Sequence, residues 1–194
     1  MDTENTIDRL ARGDENRLAM ILFLISEGVF FLFLIIAYAF FHASQKTGPT
    51  AANSLEPLTA GAFTVALLGS SFTMWRAEKN YARGRVSAFR SWLGATILLG
   101  SIFMFGQGRE YFGLYQKNVT VSRNVFGSSF FTLTGFHGLH VILGLISLLI
   151  LFGLAFQRSE RPQQSAVRTI ALYWHFVDWV WVVIFSVIYL WAVL

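Results

Sequence analysis

Five ionisable side chains stand inside long apolar runs: Glu27 in "LISEGVFF", His137 and His140 in "TGFHGLHV", and His175 and Asp178 in "YWHFVDWVW". Three further polar residues, Gln107, Arg109 and Glu110, close another apolar run in "GQGREY". Within a bilayer such groups are costly, so they face the protein interior and mark candidate functional positions. His137 and His140 are spaced i,i+3, as are His175 and Asp178, which puts each pair on one face of a helix. Imidazoles and carboxylates of this kind ligate iron, zinc or manganese. A carboxylate at mid-depth relays protons. The same groups also serve as hydrogen-bond partners between helices, because each is expensive to leave unpaired in lipid. The spacing argues against a di-metal centre of the bundle type, which uses paired Glu-x-x-His motifs and further glutamates. Neither histidine pair has a glutamate three residues before it, and Glu27 is the one glutamate well inside a run.

The elements that must carry these residues are read from composition. Charged residues make up 13 % and hydrophobic residues 55 % of 194 positions, with mean hydropathy +0.54. A soluble domain carries about 25 % charged residues, so the deficit points to a membrane protein. The net charge of +4 is spread over short segments between apolar runs and does not indicate nucleic-acid binding. The absence of cysteine excludes disulfides, thiolate metal sites and thiol catalysis. There are only four histidines, the fourth being His42. The opening "MDTENTIDRLARGDENR" lacks the pattern of a cleaved signal peptide, so the first apolar run is expected to stay as an anchor.

Crossing the hydrocarbon as a helix takes about 20 apolar residues. Runs at 18–42, 56–76, 88–112, 125–156 and 170–194 qualify, giving an all-α membrane protein with five spans behind a polar tail, residues 1–17. The runs do not alternate in polarity, which excludes a strand reading, and backbone groups in lipid must be paired within the segment. Small residues in "LTAGAFTVALLGSSFTMW" and at Gly135, Gly138 and Gly144 offer close helix contacts. At a rise of about 1.5 Å per residue, Glu27 and Asp178 lie at similar depths, about 14 and 12 Å from one end of their helices.

Eleven of the 15 Lys and Arg residues fall on one side of this topology: in the tail, in the segment after the second span and in the segment after the fourth. The other side has Lys46, Arg109, Lys117 and Arg123. The asymmetry predicts a cytoplasmic N-terminus and an external C-terminus. Trp75 and Trp92 flank the cytoplasmic ends of spans two and three as interfacial anchors, while Trp174, Trp179, Trp181 and Trp191 read as packing and belt. The sequon "NVT" at 118–120 is too short to weigh heavily. The segment "SQKTGPTAANSLEP" is turn-like.

The motifs "ISEGVFF", "GQGREY", "FGSSFFTLTGFHGLHVILG" and "YWHFVDWVWVVIFSVIYLW", in that order, resemble subunit III of the haem-copper oxidases, the cytochrome c oxidase subunit III family, in its short five-helix bacterial form. Longer members carry additional leading helices, and this chain corresponds to the part that follows them. The resemblance implies a non-catalytic subunit of a terminal oxidase in aerobic respiratory electron transport. It would pack against subunit I, with subunit II and further subunits nearby, in the bacterial cytoplasmic membrane. It implies bound phospholipid, no haem or copper in this chain, and support of proton uptake coupled to oxygen reduction. Glu27 matches the family's intramembrane carboxylate; His137, His140, His175 and Asp178 match its later polar positions. Gln107, Arg109 and Glu110 are accessory candidates. The count of histidines and the lack of cysteine agree with redox chemistry on partner chains and with imidazoles that serve as interhelical partners. A quinol oxidase subunit III and the related protein of nitric oxide reductase are alternatives. So are a stand-alone metal-dependent membrane enzyme and a small transporter, though no inverted repeat or pair of broken helices favours the last.

Overall fold

The computed structural model describes residues 2–44, 55–157 and 162–190. Helix α1 (Asp2–Ser44) runs through the polar tail and the first span without a break. Helix α2 (Pro57–Ala82) starts with proline in its first turn, where the missing N–H has no partner to lose. Helices α3 (Val86–Gln116), α4 (Val125–Leu154) and α5 (Gln164–Phe185) follow, and α5 continues as a π-helical turn, Ser186–Leu190. Among the described residues five segments are long and apolar enough to cross a membrane: Arg17–Ala43, Pro57–Ala82, Val86–Gln116, Val125–Leu154 and Gln164–Tyr189. They match the five expected runs. The second and third are longer than their apolar stretches because the helices carry on through charged residues at their ends. The turn-like segment 45–54, with Lys46, and Trp191, Arg158 and Arg161 lie outside the described residues.

The helix ends follow local chemistry. Gly84 takes φ +70° after α2, and the Arg85 N–H reaches back to the Asn80 carbonyl at 3.0 Å while Gly84 N–H bonds Tyr81 at 2.9 Å. This pair of bonds is a Schellman closure. The same closure ends α3, with Asn118 at φ 59° and Val119 N–H on the Leu114 carbonyl at 3.0 Å. Asn118, the sequon asparagine, has its amide oxygen held by Arg123 Nη1 at 2.6 Å. Helix α4 opens on Asn124, whose side chain accepts from the Gly127 N–H at 2.7 Å. At its other end the Ala155 carbonyl accepts from Arg90 Nε and Nη2 at 2.9 and 2.6 Å. A guanidinium from α3 thereby satisfies a carbonyl that the helix itself leaves unpaired.

Around the bundle the order is α1, α4, α3, α2, α5 and back to α1, with α5 also packed on α4. At its centre Trp174 is fully buried. A Cβ added at Gly100 of α3 would lie 2.8 Å from that indole, and one at Gly144 of α4 would lie 2.9 Å from it. These glycines let two helix backbones close on the tryptophan. Gly135 and Gly138 make only ordinary contacts, at 3.8 and 3.9 Å, so of the three glycines expected at close contacts in α4 only Gly144 is tight. Gly61 and Gly69 of α2 are likewise in ordinary contact. What α2 contributes instead is hydroxyls: Thr64 and Ser70 accept from the Trp181 and Trp174 indole N–H groups at 2.9 and 3.0 Å. Trp179 faces outward, and Trp75 and Trp92 lie beneath cations, Lys79 at 3.8 Å and Arg76 at 5.2 Å from the ring centres.

Candidate functional site: a polar seam inside the bundle

Glu27 stands on α1 and His140 on α4, and their side chains meet at 3.1 Å, Oε2 to Nε2. The other ring nitrogen, Nδ1, lies 2.7 Å from the Phe136 carbonyl, one turn back on α4. A carbonyl only accepts, so Nδ1 carries a proton and donates. In the neutral imidazole Nε2 accepts, and a protonated Glu27 donates to it; in the imidazolium Nε2 donates to a Glu27 carboxylate. Moving one proton between oxygen and nitrogen interconverts these two hydrogen-bonded forms. Side-chain exposure is 21 % at Glu27 and 11 % at His140, so the pair lies at the edge of the bundle. Phe31 packs its edge on the imidazole at 5.0 Å, and the Tyr173 hydroxyl donates to the His140 carbonyl at 3.0 Å, tying α5 to the same spot.

His137, one turn away, behaves differently. It is buried, stacks on Trp181 at 5.0 Å, and neither ring nitrogen has a hydrogen-bond partner among the described residues. Phe31 and Phe103 flank it at 6.3 and 6.2 Å. On α5, His175 Nδ1 shares a hydrogen bond with the Ser71 hydroxyl of α2 at 2.6 Å. Asp178, on the face between Trp174 and Trp181, is buried at 2 % exposure. The nearby Ser71 hydroxyl gives its short bond to His175, and neither Asp178 oxygen has a hydrogen-bond partner among the described residues. The five candidates thus occupy separate places: Glu27 with His140, His175 with Ser71, His137 against Trp181, and Asp178 buried in α5. Gln107, Arg109 and Glu110 lie elsewhere, at the end of the bundle where α3 closes. There the Tyr189 hydroxyl donates to Glu110 Oε2 at 2.6 Å. Among the described residues no three His, Asp or Glu side chains gather where they could hold one metal ion.

Residues that sequence reasoning passed over complete the seam. Ser71 partners His175, Ser70 and Thr64 receive the indoles, Tyr111 and Thr134 share a hydrogen bond at 2.8 Å, and Thr73 and Thr96 share one at 2.9 Å. The available signal was spacing: Thr64 and Ser70 on α2 are nearly as far apart as Trp174 and Trp181 on α5, as two antiparallel faces require.

The fold and site define an integral membrane protein of five helices, with buried polar groups and a carboxyl–imidazole pair at one edge. Residues 9–193 match the family described as cytochrome c oxidase subunit III. Cytochrome c oxidase subunit 3 of Synechocystis is 36 % identical over 180 residues, 91 % of this chain and 76 % of the relative. That of Corynebacterium diphtheriae is 35 % identical over 97 % of this chain and 94 % of its own. A probable subunit 3 of Mycobacterium leprae is 36 % identical over 94 % and 91 %. The chain belongs to the cytochrome c oxidase subunit III family, and with that membership it is part of a multi-subunit haem-copper oxidase.

Proposed function

We propose that this chain is the non-catalytic subunit III of a cytochrome c oxidase in a bacterial cytoplasmic membrane. It packs directly on subunit I, beside subunit II and further subunits, and supports proton uptake and the durability of oxygen reduction. The observation that carries this reading is the Glu27–His140 pair, a carboxyl and an imidazole in contact at a partly exposed edge, 3.1 Å across. The bacterial relatives named as cytochrome c oxidase subunits favour cytochrome c over quinol as the donor to the complex. Haem iron and copper belong to the partner chains. The separate engagement of the imidazoles supports this part of the reading: His140 has both nitrogens engaged, His175 has one, His137 stacks on Trp181 and His42 stacks on Tyr38 at 5.9 Å. Bound phospholipid belongs to the same reading.

The test is Glu27→Gln in the assembled oxidase. The amide side chain keeps the shape of the pair but cannot release or take up the shared proton. The haem absorption spectrum and initial turnover remain, while the number of turnovers before inactivation falls. A shifted haem spectrum, or no initial turnover in a complex that still contains every chain, would falsify the reading.

A further inference from the structure

The outer face of α5 carries polar groups that neither the Glu27–His140 pair nor the bundle core uses. Trp179 is 70 % exposed there. It stands within the Gln164–Tyr189 span, about 22 Å from one end and about 15 Å from the other at a rise of about 1.5 Å per residue. The hydrocarbon is about 30 Å thick, so this indole lies well inside it. Interfacial tryptophans sit at headgroup level, and Trp75 and Trp92 are of that kind, beneath Lys79 and Arg76. Trp179 is too deep for the belt role that its residue type suggests. The other two indoles of the span are served from α2, where Ser70 and Thr64 accept from Trp174 and Trp181. The Trp179 N–H has no hydrogen-bond partner among the described residues.

His175 is one turn back on the same face, i,i+4 from Trp179. It is half-buried, and the 2.6 Å bond between its Nδ1 and Ser71 joins α5 to α2 at this point. Its Nε2 has no hydrogen-bond partner among the described residues and is not enclosed, so that edge of the ring reaches the surface. Around these two groups the face is apolar, with Leu172 and Val183 exposed on α5 and Leu68 and Phe72 exposed on α2. Lipid tails suit the apolar part but offer nothing to a hydrogen bond, and a polar group left unpaired in hydrocarbon is costly. Headgroup oxygens do not reach this depth. A protein helix brings both an apolar face and an oxygen at mid-depth, and hydrogen bonds of that kind hold membrane helices together. An indole N–H only donates, while Nε2 donates or accepts according to the tautomer. A hydroxyl or a carboxamide answers both groups in either state, because each of them can accept and donate. A protruding tryptophan is also the side chain most often found as the anchor of an interface.

We propose that this face of α5 and α2, centred on Trp179 and His175, docks a transmembrane helix of another chain of the complex, which sets a hydroxyl or carboxamide side chain on the two groups at mid-depth. The inference rests on the proposed function only for the existence of partner chains. It selects one face and one polar contact, so a Trp179 that faced lipid would overturn it and leave membership of the oxidase intact.

The experiment uses the purified oxidase complex. In its first arm the unaltered complex is placed in bilayers containing phosphatidylcholine with a photoreactive group midway along one acyl chain, and labelled residues are read by mass spectrometry. Leu172, Trp179 and Val183 stay unlabelled while other parts of the complex are labelled; label on any of the three overturns the proposal. In the second arm a benzophenone side chain replaces Val183. It cross-links to a transmembrane peptide of a different chain of the complex, and that peptide contains Ser, Thr, Asn or Gln. Adducts with lipid alone, with a second copy of this chain, or with a peptide lacking all four residue types overturn the proposal. In the third arm Trp179→Phe keeps an aromatic ring and removes the N–H. Loss of one hydrogen bond weakens retention of this chain in the complex, measured as detergent is raised, by about twofold to tenfold. Unchanged retention overturns the proposal, and the first arm decides it even where a variant does not assemble.

Discussion

The two histidines of "GFHGLH" are one turn apart and of one chemical kind, yet the structure gives them opposite roles. His140 is bonded at both nitrogens, to Phe136 and to Glu27, while His137 is bonded at neither among the described residues and lies stacked on Trp181. Substitution should separate them. Replacing His137 by phenylalanine keeps an aromatic ring against Trp181 and removes an unpartnered polar group. The change is expected to cost less than about 1.5 kcal/mol, as volume-conserving core swaps do. The same replacement at His140 deprives Glu27 of its partner and is expected to cost about 1–3 kcal/mol. Midpoints of denaturation by a harsh detergent, titrated into the micelle-solubilised complex, measure the difference; equal midpoints would contradict these assignments. The sequence made both imidazoles visible as candidates because each is conspicuous in an apolar run. It could not rank them, since the i,i+3 spacing places both on one face and says nothing of what the neighbouring helix brings to each. Ser71 was hidden for the opposite reason, as an ordinary hydroxyl in a segment whose small residues suggested close packing.

At the scale of the helix, the spans were legible because twenty or so apolar residues have one solution in lipid. Their mutual arrangement was not. The apolar faces of α1 and α4 look alike all round, so nothing in them specifies that α1 sits between α4 and α5. The specifying features are local misfits, where a large ring meets a bare backbone. Trp174 against Gly144 is one, and it distinguishes two glycines of the same helix. An added Cβ at Gly144 would be 2.9 Å from the indole, whereas one at Gly153 would meet nothing within 4 Å. Alanine at Gly153 is therefore expected to stabilise by up to about 1 kcal/mol through helix propensity. Alanine at Gly144 is expected to destabilise by about 1–3 kcal/mol through overpacking. The same denaturation midpoints decide it, and two shifts of the same sign would show that α4 does not clamp Trp174 as described.

At the scale of the whole molecule, the unequal ends of the bundle bear on how it sits in the bilayer. One end joins α2 to α3 through Arg83 and Arg85, and Arg90, Arg76 and Lys79 engage Ala155, Trp92 and Trp75 close by. The other end, where α3 passes into α4, has Lys117 and Arg123, and Arg123 is held by Asn118. Positive charge near short loops stays on the cytoplasmic side during insertion, so the arginine-rich end is expected inside. The chain contains no cysteine, so single cysteines report position without a background. Ala82 and Ser122 are both exposed and lie at opposite ends. In spheroplasts, a membrane-impermeant maleimide is expected to label Ser122→Cys directly and Ala82→Cys only after the membrane is opened. The reverse pattern would invert the topology and put Glu27 and His140 on a path from the opposite compartment.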